Sequence, residues 1–163
     1  MKITTHNANE TIAFGKRVGE KLKGGEILLL FGELGSGKTT FVQGLAKGLN
    51  IFHHITSPTF TLLREYPVKK GKIKKFVHID CYRIEITEDL FFSGAFEYFG
   101  DPATVVAIEW PDIIYDEIKK NEKKIISFKF FYTKTKQKKE FSQRIIEKHL
   151  LFNQQHEKLR PTT

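Results

Sequence analysis

The sequence predicts a single α/β domain: a largely parallel central sheet flanked by helices, with a C-terminal antiparallel hairpin added to it. Three observations carry that expectation. The segment Glu26 to Phe31, apolar from Ile27 onward, runs into a glycine-rich turn and then an amphipathic helix. Two further apolar segments, Phe76 to Asp80 and Thr104 to Glu109, each end in a carboxylate. At 163 residues the chain has room for one domain and little more.

Lys2 to Thr5 suits a short edge strand. Asn7 or Asn9 can cap a helix that runs to about Lys23 with Ile12, Val18 and Leu22 on one face, stopped by Gly24-Gly25. Glu26 to Phe31 has the unbroken apolar character of a strand buried on both faces of a parallel sheet. The segment GELGSGKTT, residues 32 to 40, opens a helix carrying Phe41, Val42, Leu45 and Leu49. A polar linker with Ser57 and Pro58 leads to an expected strand from Phe60 to Tyr66, and Val68 to Lys75 reads as a basic turn around Gly71. Residues 84 to 103 are polar and aromatic, with a short helix expected near Thr87 to Phe92. Asp112 to Ile118 suits another short helix, and Ile125 to Tyr132 a strand. Beyond a turn at 133–138, Glu140 to Ile146 fits either a hairpin strand or one helix face. The domain is therefore expected to span 1–152, with 153–163 a mobile tail.

Composition bounds the function. The longest apolar run, Ile27 to Phe31, is far short of the about 18 residues needed to cross a bilayer, so no membrane association is expected. The first thirty residues lack the pattern of a secretory signal, and the lone Cys81 excludes an internal disulfide framework; both fit a cytoplasmic protein. The net charge of +8 is unevenly spread: residues 1–118 hold 14 basic and 15 acidic side chains, residues 119–163 hold 13 and 4. That basic quarter suits either an acidic or nucleic-acid partner or a solvated hairpin and tail.

Gly32, Gly37, Lys38 and Thr39 satisfy G-x-x-x-x-G-K-[ST], and the pattern lies between a strand and a helix as its chemistry requires. Gly35 and Gly37 let successive N–H groups point inward at a phosphate, and the helix adds its positive end. Lys38 can reach β- and γ-phosphate oxygens, and the Thr39 hydroxyl can ligate Mg²⁺. The expectation is a P-loop NTPase-like domain that binds a nucleoside triphosphate. Such a site needs a carboxylate from a neighbouring strand end, and Asp80 and Glu109 both qualify; one can serve the metal and the other the attacking water, and spacing alone does not allocate them. In the linker, Ser57 and Thr59 stand where triphosphate switches place a hydroxyl that senses the γ-phosphate. Cys81 reads as an inert strand-end residue. His53, His54 and His78 lack zinc-ligand spacing. Phe91, Phe92, Phe96, Tyr98 and Phe99 read as mostly core, with some available to a partner surface.

Taken in order, "GELGSGKTTF", "SPTFTLLREY", "HIDCYRIE" and "AIEWPD" resemble the TsaE (YjeE) family, the bacterial ATPase of tRNA threonylcarbamoyladenosine (t6A) biosynthesis. The resemblance covers about residues 8 to 115. It implies that Glu33, Leu34, Gly35, Ser36, Gly37, Lys38, Thr39 and Thr40 hold the phosphates of ATP, and that Thr39 and Glu109 are the Mg²⁺ ligands. It gives Asp80 the Walker-B-like place, makes Lys38, Thr59, Asp80 and Glu109 the catalytic set, and puts Trp110 beside them. It sets Thr11 near the base or ribose, a role with no support from spacing. Tyr82 and Arg83, just past Asp80, face a partner or the phosphates on this reading, or make an ordinary surface contact. The implied partners are TsaD and TsaB, which ATP turnover resets between rounds of modification, with tRNA contacted indirectly through the complex. The competing classes are a small P-loop kinase, disfavoured because residues 84 to 103 contain no Lys or Arg for a lid, and a nucleic-acid-binding module gated by ATP.

Overall fold

Seven strands form one mixed sheet in the computed structural model, which describes residues 1–121, 124–134 and 141–151. In chain order the elements are β1 (Lys2–Thr5), α1 (Ala8–Lys21), β2 (Ile27–Gly32), α2 (Lys38–Gly48), β3 (Leu63–Lys70), β4 (Ile73–Asp80), α3 (Thr87–Phe92), β5 (Thr104–Glu109), α4 (Tyr115–Asn121), β6 (Ile125–Lys134) and β7 (Phe141–Leu151). Single 3₁₀ turns lie at Ala95–Tyr98 and Pro111–Ile114. The strand order is β1-β7-β6-β2-β5-β4-β3. The four inner strands β6, β2, β5 and β4 run parallel; β3 pairs antiparallel with β4 at one edge, and at the other β7 pairs antiparallel with both β6 and β1. No helix among the described residues is long and apolar enough to cross a membrane.

Side chains alternate across the sheet, so each inner strand feeds two cores. Leu28 and Leu30 join Phe76, Val105, Ala107, Phe128 and Phe130 beneath α1 and α2. Ile27 and Leu29 join Val77, Ile79, Val106 and Ile108 on the opposite face, covered by Leu90, Ala95, Ile114 and Ile118. Burial on both faces is why these strands read as apolar runs rather than as alternating patterns.

Helix α1 starts at Asn7, whose side chain accepts the Glu10 N–H at 2.9 Å, while Glu10 reaches back to the His6 N–H at 2.9 Å. Its buried face is Thr11, Phe14, Gly15, Val18 and Gly19, rather than one built on Ile12, which is only half-buried. The glycines explain the difference. Cβ atoms placed on Gly15 and Gly44 would lie 2.3 Å from the Phe41 and Ile12 carbonyl oxygens, so α1 and α2 touch backbone to backbone. Hydrophobicity patterning does not register a face made of glycine. Lys70 then ties the β3–β4 hairpin to both helices, donating to the Gly19 and Gly48 carbonyls at 2.7 and 3.0 Å.

Several expected boundaries shift, among them the helix expected over Asp112 to Ile118, which is a 3₁₀ turn at Pro111–Ile114 followed by α4. Strand β3 starts at Leu63 rather than Phe60, because residues 58–61 close a turn in which Thr61 N–H bonds to the Pro58 carbonyl at 2.9 Å. The expected basic turn over Val68 to Lys75 narrows to Gly71 and Lys72: Tyr66, Val68 and Ile73 are buried between exposed lysines, which is a strand pattern, and Gly71 takes the positive φ of 57° that the tight turn demands. The segment from Phe141 onward is a strand paired on both sides, which settles its hairpin-or-helix ambiguity. Most of the expected turn at 133–138 and the whole expected tail at 153–163 lie outside the described residues.

The α1–α2 contact generates a stability prediction. Gly15→Ala and Gly44→Ala should each cost about 1–3 kcal/mol or more in urea unfolding, despite alanine's better helix propensity, because the added methyl meets backbone. Gly35→Ala, where nothing lies within 4 Å of the new Cβ, should cost only the roughly 1–2 kcal/mol of a left-handed residue at φ +76°. Equal costs at the three sites would contradict the close-packing account.

Candidate functional site

The parallel strands place their C-terminal ends at one edge, and the site is built there. Chain leaving β2 turns through residues 32–37 with positive φ at Gly32, Gly35 and Gly37, then enters α2 with Gly37 as N-cap. A Cβ on Gly32 would sit 2.5 Å from the Phe130 carbonyl oxygen, so only glycine fits there. Asp80 and Glu109 end β4 and β5 and stand opposite each other in register. Both carboxylates are buried, at 3% exposure. Each is satisfied locally, as burial demands.

Glu109 accepts the Thr39 hydroxyl at 2.8 and 3.0 Å through its two oxygens, and Oε1 also accepts His78 Nε2–H at 3.0 Å. Asp80 Oδ2 accepts Ser57 Oγ–H and, at 2.7 Å, the Thr59 hydroxyl, while Oδ1 accepts the Tyr82 N–H at 3.0 Å. Lys38 curls back on its own loop, donating to the Gly32 and Glu33 carbonyls at 2.7 and 3.0 Å. Its ammonium also lies 3.8 Å from the centre of the Trp110 ring. Burial lowers the Lys38 pKa, and the negative charges of Glu109, Asp80 and Asp112 oppose that shift. Trp110 holds a left-handed backbone at φ 55°, and its N–H bonds to the Leu30 carbonyl at 3.2 Å, which turns the chain sharply just after Glu109. Tyr82 packs against Trp110 with ring centres 5.0 Å apart.

A cavity of about 380 Å³ opens between the loop and these strand ends, lined by Leu34, Gly35, Gly37, Lys38, Thr39, Thr40, Ser57, Thr59, Asp80, Tyr82, Glu109 and Trp110. Most of the residues named from sequence therefore converge on one space. Gly32 and Arg83 do not line it, nor do Glu33, Ser36 and Thr11. Glu33 is exposed and accepts the Tyr132 hydroxyl at 2.8 Å. Ser36 is fully buried, its hydroxyl without a partner among the described residues. Thr11 is fully buried, with its hydroxyl bonded to that of Thr5 at 2.8 Å; its methyl lies 3.9 Å from where a Cβ on Gly37 would stand.

Two contributors escape sequence reasoning. Arg144 of β7 leans on the loop, its Cδ and Nε 3.0 and 3.1 Å from the same Gly37 Cβ position, yet nothing near it in sequence marks it. His78 has no zinc-ligand spacing, and its only sequence signal is that of a polar residue inside the apolar run of β4. Phe91 and Phe92 also depart from expectation. They are 70% and 83% exposed, because the short α3 turns only Leu90 inward, while Phe96, Tyr98 and Phe99 pack half-buried.

The donors suit a magnesium phosphate. The loop offers a lysine at the start of α2, and Thr39 and Glu109 offer adjacent hard oxygens. Among the described residues no group of three or more His, Cys, Asp or Glu converges on a metal position. Magnesium usually draws the rest of its shell from phosphates and water, so one hydroxyl and one carboxylate are adequate.

A sequence model for "Threonylcarbamoyl adenosine biosynthesis protein TsaE" matches residues 5–144. The tRNA threonylcarbamoyladenosine biosynthesis protein TsaE of a Nostoc species is 43% identical over 113 residues, which cover 68% of each chain. That of Bacillus subtilis is 38% identical over 127 residues, covering 77% of this chain and 76% of its own. The crystal structure of YdiB from Bacillus subtilis superposes with a TM-score of 0.68 at 28% identity, over 94% of this chain and 86% of that one.

The site also sets the reactivity of the single cysteine. Cys81 follows Asp80, and burial, aided by the charges of Asp80 and Asp112, pushes its thiol up to about 12. At pH 8 roughly one thiol in ten thousand is ionised, so native protein should resist a thiol-specific disulfide reagent and react with one equivalent on unfolding. Because the unfolded thiol titrates lower, the stability this group contributes is complete below about pH 9 and is lost as pH rises towards 12. Rapid stoichiometric labelling of folded protein at pH 8 would contradict the assignment.

Proposed function

The chain belongs to the TsaE family of threonylcarbamoyl adenosine biosynthesis proteins, and from that membership and the geometry of its loop we propose that it is a P-loop NTPase-like domain that binds and hydrolyses ATP within the t6A machinery. The observation that carries the reading is the convergence of Lys38, Thr39, Asp80 and Glu109 on one cavity, with Thr39 bonded directly to Glu109.

In this reading the N–H groups from Glu33 to Thr40 cradle the phosphates at the start of α2. Lys38 exchanges the Gly32 and Glu33 carbonyls for phosphate oxygens, an exchange favoured because a buried ammonium gains more from an anion than from carbonyl dipoles. Thr39 and Glu109 would hold Mg²⁺, which would supply neutralisation of the charge developing on the phosphates. Asp80, fixed by Ser57, Thr59 and the Tyr82 N–H, is placed to orient or deprotonate the attacking water. Because Ser57 and Thr59 sit in the linker before β3, a change at Asp80 passes directly to that segment. Arg144 and Thr11, both close to Gly37, are the side chains proposed to lie near the base or ribose. TsaD and TsaB are the proposed partners, with tRNA reached through them in the cytoplasm.

Purified protein should hydrolyse ATP slowly alone and faster with a TsaD–TsaB pair, measured by phosphate release. Lys38→Ala should abolish turnover, and Glu109→Ala should reduce it by at least the roughly 100-fold typical of losing one main electrostatic group. Unchanged turnover in Lys38→Ala, or no response of the wild-type protein to Mg-ATP and the partner pair, would sink the proposal.

A further inference from the structure

His78 is fully buried in the middle of the sheet, where an apolar residue would pack without leaving a ring nitrogen unpaired. Its Nδ1 has no hydrogen-bond partner among the described residues, so half of its polar capacity is spent on nothing visible. The other half meets one atom, Glu109 Oε1, at 3.0 Å. Strand geometry makes this specific. Phe76, His78 and Asp80 share one face of β4, as Val105, Ala107 and Glu109 share one face of β5, and Phe76, Val105 and Ala107 place that face beneath α1 and α2. His78 stands opposite Ala107, whose small side chain leaves the ring room to lean towards Glu109.

We propose that His78 is the positioning residue of Glu109: its Nε2–H occupies Oε1 and fixes the carboxylate plane, so that Oε2 is the oxygen left to turn with the Thr39 hydroxyl onto a metal ion. The inference rests on the reading of this site as one for magnesium ATP. It assigns to β4 two distinct tasks two residues apart, His78 holding one carboxylate and Asp80 being the other. In the free protein the Thr39 hydroxyl also holds Glu109, but that contact is given up when Thr39 turns to a metal, which leaves the imidazole. The imidazole restrains the carboxylate before any ligand arrives, as partners behind metal ligands commonly do.

The test is a Mg²⁺ titration of the full chain carrying a non-hydrolysable ATP analogue, read by the fluorescence of the single tryptophan, Trp110. His78→Leu should raise the half-saturating Mg²⁺ concentration by about 10-fold or more, and turnover should recover towards wild type once Mg²⁺ saturates. His78→Gln, which keeps an N–H donor at similar reach, should restore the Mg²⁺ response that leucine loses. Thermal unfolding without Mg²⁺ separates this from a folding defect. An unchanged Mg²⁺ requirement in folded His78→Leu, or a shift in His78→Gln as large as that in leucine, overturns the inference. Should leucine fail to fold, ¹⁵N NMR of the wild-type ring decides: a hydrogen on Nε2 supports the assignment and a bare Nε2 overturns it. A wild-type protein with no Mg²⁺-dependent signal refutes the site reading itself, whereas a normal wild-type response with an unaffected leucine variant refutes only the role of His78.

Discussion

Everything at the site depends on the parallel pairing of β2 with β5 and of β5 with β4. Leu30 stands opposite Glu109, and Glu109 opposite Asp80, so the glycine loop and both carboxylates emerge from the sheet at the same height. A register slip of one residue would turn Asp80 or Glu109 to the opposite face. The paired segments are buried: Leu28, Leu29, Leu30, Ala107 and Ile108 are completely inaccessible in this register. Just beyond β5, the Trp110 N–H bonds to the Leu30 carbonyl and the Cys81 N–H to the Glu109 carbonyl, which carries the ladder past the strand ends and stiffens the rim.

The electrostatics of that rim are closely balanced. One lysine faces two buried carboxylates, with Asp112 adding a third negative charge at longer range. In the free protein the carboxylates are quieted by hydroxyls, an imidazole and a backbone N–H, while the lysine rests on carbonyl oxygens and an indole face. None of these contacts is a direct salt bridge between Lys38 and an acid. Lys38 and the two carboxylates are thus held apart, each engaged by other partners rather than by one another.

Much of this was legible in the amino-acid order, for physical reasons that differ by element. The strand-loop-helix unit and the two acid-ended strands announce themselves because burial on both faces leaves unmistakable apolar runs. The α1 contact face was illegible because glycine contributes no hydrophobicity while allowing the closest approach. The β3–β4 hairpin was obscured by lysines that alternate with buried Tyr66, Val68 and Ile73. Arg144 was beyond reach because its meaning lies in Gly37, far away in sequence, and His78 showed only as a polar residue in an apolar run, its partner Glu109 lying on another strand. The exposed Phe91 and Phe92 mark the remaining gap: apolar composition says that burial is wanted, and a six-residue helix supplies it for one side chain only.

The pairing of the first strand has a consequence for how the protein is made. β1 has one neighbour in the sheet, and that neighbour is β7; even the amino group of Met1 donates to the Lys148 carbonyl, at 3.0 Å. Lys2 to Thr5 therefore find their places only once Arg144 to Glu147 are there to pair with them. Until then the growing chain carries an unpaired sheet edge, β6, whose Phe128 and Phe130 lack the cover that β7 brings. Closure of the sheet is a late, long-range event of the kind that slows folding, and the interval before it is when the nascent chain is most exposed to pairing with strangers.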